Sequence, residues 1–334
     1  MRNEMLSPAE AAAKIEAGAV MVIAGDEALL RALPRGKWIG GTSVYFVTEA
    51  GGCVDRERLF CTTFDSATDA KVRHLDVETL PAIAEGYLSN GVTFIMLPAF
   101  SLAHSEFAVA GSGFPGLFDQ PLVGWVTGVH LDEIGKRSPL VIDGATGAAQ
   151  DEGAVLLHVA LPDSKTINLD ILNIFSQGDA AEDSFLFDTD GFSATTVKVN
   201  GVERRFAEYI TETGLDPQLP LVANYAGALI NVSIQSVDQA TGEVKFYAPV
   251  VHGVEYRQAR PVGNYVEAFA AGAGSAGEGE FSCNCILNYL YGGLEGHKTG
   301  GYTGPVTFGE IAYILLNQTM VHLDVAEAEA RAVA

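Results

Sequence analysis

Cys283 and Cys285 are the first residues of this chain whose type and spacing could do chemistry. They lie two apart on a segment, Gly279–Cys285, that reads as a strand, so both side chains point to one face. Two thiols on one face could line a pocket, or hold a metal with His297 and His322 as the nearest further ligands. No C-x-x-C spacing of zinc-ribbon type accompanies them, and cysteine also packs as a small hydrophobe. Glu310 sits between Gly309 and Ile311. A carboxylate there could complement a helix N-terminus, or take the ammonium group of a ligand if it faces a pocket. Asn317 and Thr319 alternate along an extended segment, which puts two hydrogen-bonding side chains on one face. His104 falls in a loop, Phe100–Glu106, after an apolar run, where binding groups collect. His158, inside Val155–Ala160, reads as a strand residue with a satisfied ring.

Two glycine patterns look chemical and fail on context. Gly111 to Gly116 fits G-x-G-x-x-G by letter, but Pro115 and Pro121 bracket the place where the required helix should start. It reads as a loop. Gly292–Thr299 approaches a P-loop, yet His297 stands where that motif needs glycine before Lys298. No G-x-S-x-G, H-E-x-x-H or ordered Ser/His/Asp arrangement occurs, so no catalytic role is assigned to any residue.

The totals narrow the partners. With 334 residues, two domains are expected. The 42 acidic against 20 basic residues give a net charge of −22, which repels nucleic acid and anionic membrane surfaces. Apolar runs such as Val92–Phe100 are far shorter than the ~20 residues needed to span a bilayer. The start of the chain shows no secretory signal, and four cysteines make no disulfide scaffold, so a cytoplasmic, reduced protein is expected.

The elements that must position these residues alternate between helix and strand. Ser7-Pro8-Ala9-Glu10 reads as a capped start for a helix over Pro8–Ala17. Strands are predicted at Val20–Ala24, Trp38–Phe46, Leu59–Phe64, Val92–Leu97, Leu122–Val129 and Ala154–Leu161, and helices at Asp26–Ala32 and Val77–Asn90. Asn200-Gly201 after Thr196–Val199 marks a hairpin, followed by a helix over Phe206–Glu212. Asp238–Gly242 joins another, and Ala268–Gly279 is a run of small residues. The fold class is α/β with mixed α+β layers: two packed domains, each a mixed sheet flanked by helices, over 1–190 and 191–325, with an Ala/Glu-rich tail at 326–334.

The last part of the chain resembles the closing signature of the FIST sensory domains. Phe281-Ser282-Cys283, Gly301-Tyr302, Gly309-Glu310-Ile311 and Asn317-Gln318-Thr319 occur in order at suitable spacing. Trp38-Ile39-Gly40-Gly41-Thr42 is similar to an N-terminal element of that family, and Val197–Tyr209 to the start of its second half. The chain departs from the pattern after Cys283, where Asn284-Cys285 follows, and it carries no output domain. It is therefore identified as a divergent, stand-alone member. The resemblance implies a module that binds amino acids or a related small polar metabolite and signals through a separate protein. The expected ligand-binding residues are Thr42, Tyr45, Cys283, Tyr302, Glu310 and Asn317, with amides near Gly40–Thr42 for a ligand carboxylate. No cofactor is assigned. The alternatives are a haem-dependent nitric-oxide or gas sensor, and a structural or assembly protein that keeps the fold without a ligand; self-association stays open.

Overall fold

A computed structural model describes residues 1–225, 227–272 and 280–328. The end of the small-residue run (273–279) and most of the tail (329–334) lie outside the described residues. The fold is mixed α/β: sheets with parallel and antiparallel neighbours, flanked by helices.

Three six-stranded sheets share one core. In spatial order the first runs Arg2–Leu6, Leu59–Thr63, Met21–Gly25, Trp38–Thr42, Val141–Asp143, Ala148–Gln150. The second runs Ile314–Leu316, Gly309–Ala312, Leu122–Thr127, Gly91–Pro98, Ala154–Ala160, Asp69–Leu75. A third joins Lys165–Leu172, Met320–Glu327, Phe281–Cys285, Gly304–Thr307, Tyr45–Thr48 and Gly51–Val54. Strand alternation sorts their residues into layers. Val22 and Ala24 join the shared core, whereas Met21 and Ile23 pack with Ile15 and Leu30 of the helices Pro8–Glu16 and Glu27–Arg31. Phe94 and Met96 likewise join that core, while Ile95 and Leu97 meet Ala103 and Phe107 of helix Leu102–Ala110. Strands covered on both faces read as continuous apolar runs, which is why Val92–Leu97 was visible in the sequence.

Local signals act as expected at several ends. Ser7 Oγ accepts from the Glu10 amide at 3.3 Å and Glu10 Oε2 accepts from the Ser7 amide at 2.9 Å, a reciprocal cap for the first helix. Asn200 and Gly201 take φ of 50° and 82° between Thr196–Val199 and Val202–Arg205, the left-handed pair that a two-residue hairpin turn needs. Val77–Gly86 forms 3₁₀ turns rather than the α-helix predicted there, because Pro81 removes an amide donor mid-segment.

The division at residue 190 has to be corrected. Residues from Ser184 to Gln258 do build a separate core from Phe185, Phe187, Phe206, Phe246 and Tyr256, under helix Phe206–Thr213. The chain then returns. Gly309–Ala312 pairs with Leu122–Thr127, and Gly304–Thr307 with Tyr45–Thr48. The N-terminal strands would otherwise expose open ladder edges, and the C-terminal strands close them. The unit over 184–258 is an insertion in a fold that both chain ends complete. No helix among the described residues is long and apolar enough to cross a membrane.

Candidate functional site

A cleft of ≈ 480 Å³ opens where three stretches of chain meet. One wall is helix Leu102–Ala110, with His104 and Ser105, beside Phe100. The inserted unit gives a second wall through Phe192 and Ser193, Gln235, and Lys245 with Tyr247. Ile286, Leu287 and Leu290 of helix Ile286–Tyr291, with Phe308, form the third. The mouth is bounded by Leu131 and Ile134.

Each wall has a local reason for its position. Ser101 Oγ accepts from the His104 amide at 3.0 Å, and the Glu152 carboxylate accepts from the Leu102 and Ala103 amides at 2.9 and 2.8 Å. The orphan amides of that helix are thereby satisfied, which fixes His104 one turn in. Burial alone would raise Glu152, but amide bonds from Gly153, Ala103 and Leu102 hold it below the usual carboxylate range. On the inserted unit Ser193 is paired with Lys245 across neighbouring strands, and Tyr247 lies two residues further along, on the same face as Lys245. Val244 and Phe246 alternate with them into the unit's own core.

His104 Nε2 is fully covered and has no hydrogen-bond partner, although the residue itself is only half-buried. Burial pushes its pKa down to about 4, so the ring is neutral at pH 7, and it meets Phe192 edge-on at 5.7 Å. Burial, with Tyr291 and Cys285 nearby, pushes the Tyr247 hydroxyl up to about 12. Phe100 is 60% exposed and holds a φ of 68°, an uncommon angle for a bulky side chain, with its ring 6.3 Å from that of Phe308. A strained, exposed aromatic at the mouth of an apolar cleft is the kind of feature found at binding sites. The arrangement can hold a small molecule between aromatic faces and a polar sheet face; it offers no nucleophile paired with a base.

The six residues expected from the sequence are not gathered here. Thr42 lies in the first sheet and exchanges hydrogen bonds with the Leu140 backbone, its Oγ1 accepting from the amide at 2.9 Å. The amides near Gly40–Thr42 belong to a strand with neighbours on both sides, so the ladder occupies that backbone rather than leaving a cradle for a carboxylate. Tyr45 stacks on His130 at 5.5 Å, and its hydroxyl accepts from the Leu131 amide at 3.1 Å. It braces the rim of the cleft from behind. Tyr302 is buried against His322, ring centroids 4.6 Å apart.

Cys283 and Glu310 lie near one another in the buried interior, while Asn317 bonds separately to Asn231 and Ser233. Glu310 is in strand Gly309–Ala312, not at a helix start, so its carboxylate caps no helix. Its Oε2 accepts from the amide and hydroxyl of Thr319 at 3.2 and 2.8 Å, while Oε1 has no partner. Burial pushes this carboxyl up to about 8 against the bonds from Thr319 and a contact from the Cys285 thiol. Cys283 Sγ lies 3.0 Å from Thr307 Oγ1, and burial with the nearby Glu310 raises both Cys283 and Cys285 well above the usual thiol range. Asn317 and Thr319 do not share a strand face: they flank Gln318, at φ 49°, in the turn between two strands. Asn317 Oδ1 instead accepts from the Ser233 amide at 3.1 Å, tying the inserted unit to the main body. His104 is on a helix rather than in a loop. The residues that line the cleft and were missed, Phe192, Lys245 and Phe308 among them, come from three distant segments and follow no motif.

All four cysteines are free thiols. Among the described residues no group of three or more His, Cys, Asp and Glu side chains is placed to hold a metal ion.

Residues 6–326 match the family described as "Family of unknown function (DUF6976)", and the chain belongs to that family. No curated protein matches the chain.

Proposed function

We propose that the protein is a ligand-binding sensory module of the kind the FIST resemblance implies, cytoplasmic and signalling to a separate protein, with its ligand in the cleft between His104, Lys245 and Leu287. The observation that carries this reading is the composition of the walls: three separate stretches of chain converge on ≈ 480 Å³ of largely aromatic and aliphatic surface. That volume is within the range of small-molecule sites, as is an apolar lining with few polar groups. A ligand touching all three walls would fix the inserted unit against the main body, and that adjustment is the signal a partner would read. Compared with the polar-metabolite expectation, the site is apolar, so free polar amino acids fit it poorly.

A thermal-shift panel tests this with amino acids, short organic acids, alkyl and aryl compounds and haemin. A ligand at ~100 times its dissociation constant adds about 2.7 kcal/mol to the folded state. Ser105→Trp, at an exposed helix position in the wall, should abolish any shift that arises in the cleft. A shift untouched by that variant places binding elsewhere.

The haem alternative fits these residues poorly. An iron needs an open imidazole nitrogen, whereas His104 Nε2 is covered by protein atoms. A Soret band in purified protein would reverse that judgement. A flat panel, with a large self-associated particle in sedimentation, would favour the assembly role.

A further inference from the structure

We infer that the ligand of this cleft is an amphipathic monoanion, an apolar body carrying one carboxylate, with its head at Lys245 and its body against Phe100, Leu287 and Phe308. The inference rests on the cleft being the binding site and adds the chemistry of what enters it. The first ground is charge. The chain has 42 acidic and 20 basic residues, yet among the described residues the lining contains Lys245 and no Asp or Glu. The selection runs against the composition of the whole molecule.

Position supplies the second ground. Ser193, Gln235 and Lys245 come from three adjacent strands, Gly191–Ala194, Ile234–Val237 and Val244–Val250, and form a polar patch on one wall. The aliphatic side chains of helix Ile286–Tyr291 and Phe308 lie on another. A two-sided cleft suits a two-sided ligand. The third ground is availability. Lys245 pairs with Glu243 at 3.7 Å, both side chains well exposed, a contact of little energy that an incoming carboxylate displaces at small cost. Glu133, on the rim segment, is engaged by Arg56 at 3.0 Å and Arg137 at 3.5 Å, so its charge is answered there. His104 stays neutral at pH 7 and presents no competing charge of either sign.

Isothermal titration of the full chain with octanoate, octan-1-ol and octylammonium tests the head and the body separately. Octanoate should bind about tenfold more tightly than octan-1-ol, the worth of one hydrogen bond to a charged group. Lys245→Gln should remove that advantage by weakening octanoate far more than octan-1-ol, and Glu243→Gln should strengthen octanoate. Ser105→Trp should abolish all three. Equal binding of octanoate and octan-1-ol, or octanoate affinity indifferent to Lys245→Gln, overturns the anionic head but leaves the cleft standing if Ser105→Trp still blocks binding. Binding that survives Ser105→Trp, or no binding of any probe, overturns both.

Discussion

Glu310 Oε2 accepts two hydrogen bonds from one residue, the amide and the hydroxyl of Thr319 at 3.2 and 2.8 Å, nine positions along the chain. The partnership ties strand Gly309–Ala312 to the turn between Ile314–Leu316 and Met320–Glu327 from the inside. It leaves Oε1 without a partner in a fully buried place. A buried carboxyl so placed is more stable as the neutral acid.

Stability should therefore fall as pH rises. The folded-state pKa, raised from 4.5 to about 8, means that the native chain keeps a proton the unfolded chain loses. The favourable contribution is fully present below pH 4.5 and is lost progressively up to about pH 8. Its upper bound is about 5 kcal/mol, from 1.36 kcal/mol per unit. Urea titrations at pH 5.5 and 8.5 should show this loss, and Glu310→Gln should flatten most of it. Equal slopes with pH in parent and variant would assign the dependence to other groups.

Gly41→Ala should destabilise by roughly 1–3 kcal/mol through overpacking. An added Cβ would lie 2.5 Å from Thr127 Cγ2, 2.9 Å from Met96 Sδ and 3.0 Å from Trp125 Nε1, where the first and second sheets press together. Chemical denaturation checks the size, and a neutral result would mean that the sheets can separate locally.

Phe100→Gly should separate stability from binding. Glycine tolerates the φ of 68° without strain, which offsets the loss of the ring contact with Phe308 and keeps the midpoint within about 1 kcal/mol of the parent. Affinity for any cleft ligand should fall several-fold, because an aromatic wall is gone. Calorimetric titration of the two proteins side by side decides it.

Tyr45→Phe removes the hydroxyl that accepts from the Leu131 amide at 3.1 Å. The ring contacts with His130 and Tyr289 persist, so the expected cost is about 1 kcal/mol. The rim at Leu131 should loosen, visible as faster amide exchange there; unchanged exchange would show that the rim is held by other contacts.

Sequence patterns carried the layers of this fold well where one signal sufficed. Val92–Leu97 announced a strand buried on both faces, and Ser7 with Glu10 announced a capped helix. Glu310 was read as a ligand-binding residue, whereas its buried setting depends on the chain reversing at Gln318 and bringing Thr319 back, which no local pattern prescribes. Lys245 illustrates the harder part. Nothing in Glu243-Val244-Lys245-Phe246 marks a cleft, because the opposite walls are supplied by residues near 104 and 287. A division at 190 failed for a related reason: composition reveals where an insertion departs, whereas the return is written only in long-range strand pairing.

That return has a consequence for how the protein is made. Val126 emerges from the ribosome roughly 180 residues ahead of its ladder partner Gly309, a wait of about ten to forty seconds at ordinary synthesis rates. Throughout that interval the apolar edge at Leu122–Thr127 is open to any other nascent strand. The insertion, whose core is built from its own segment, can fold in the meantime. Final assembly is left to the last residues synthesised, so a chain stopped before Gly304 should be aggregation-prone rather than a smaller working protein.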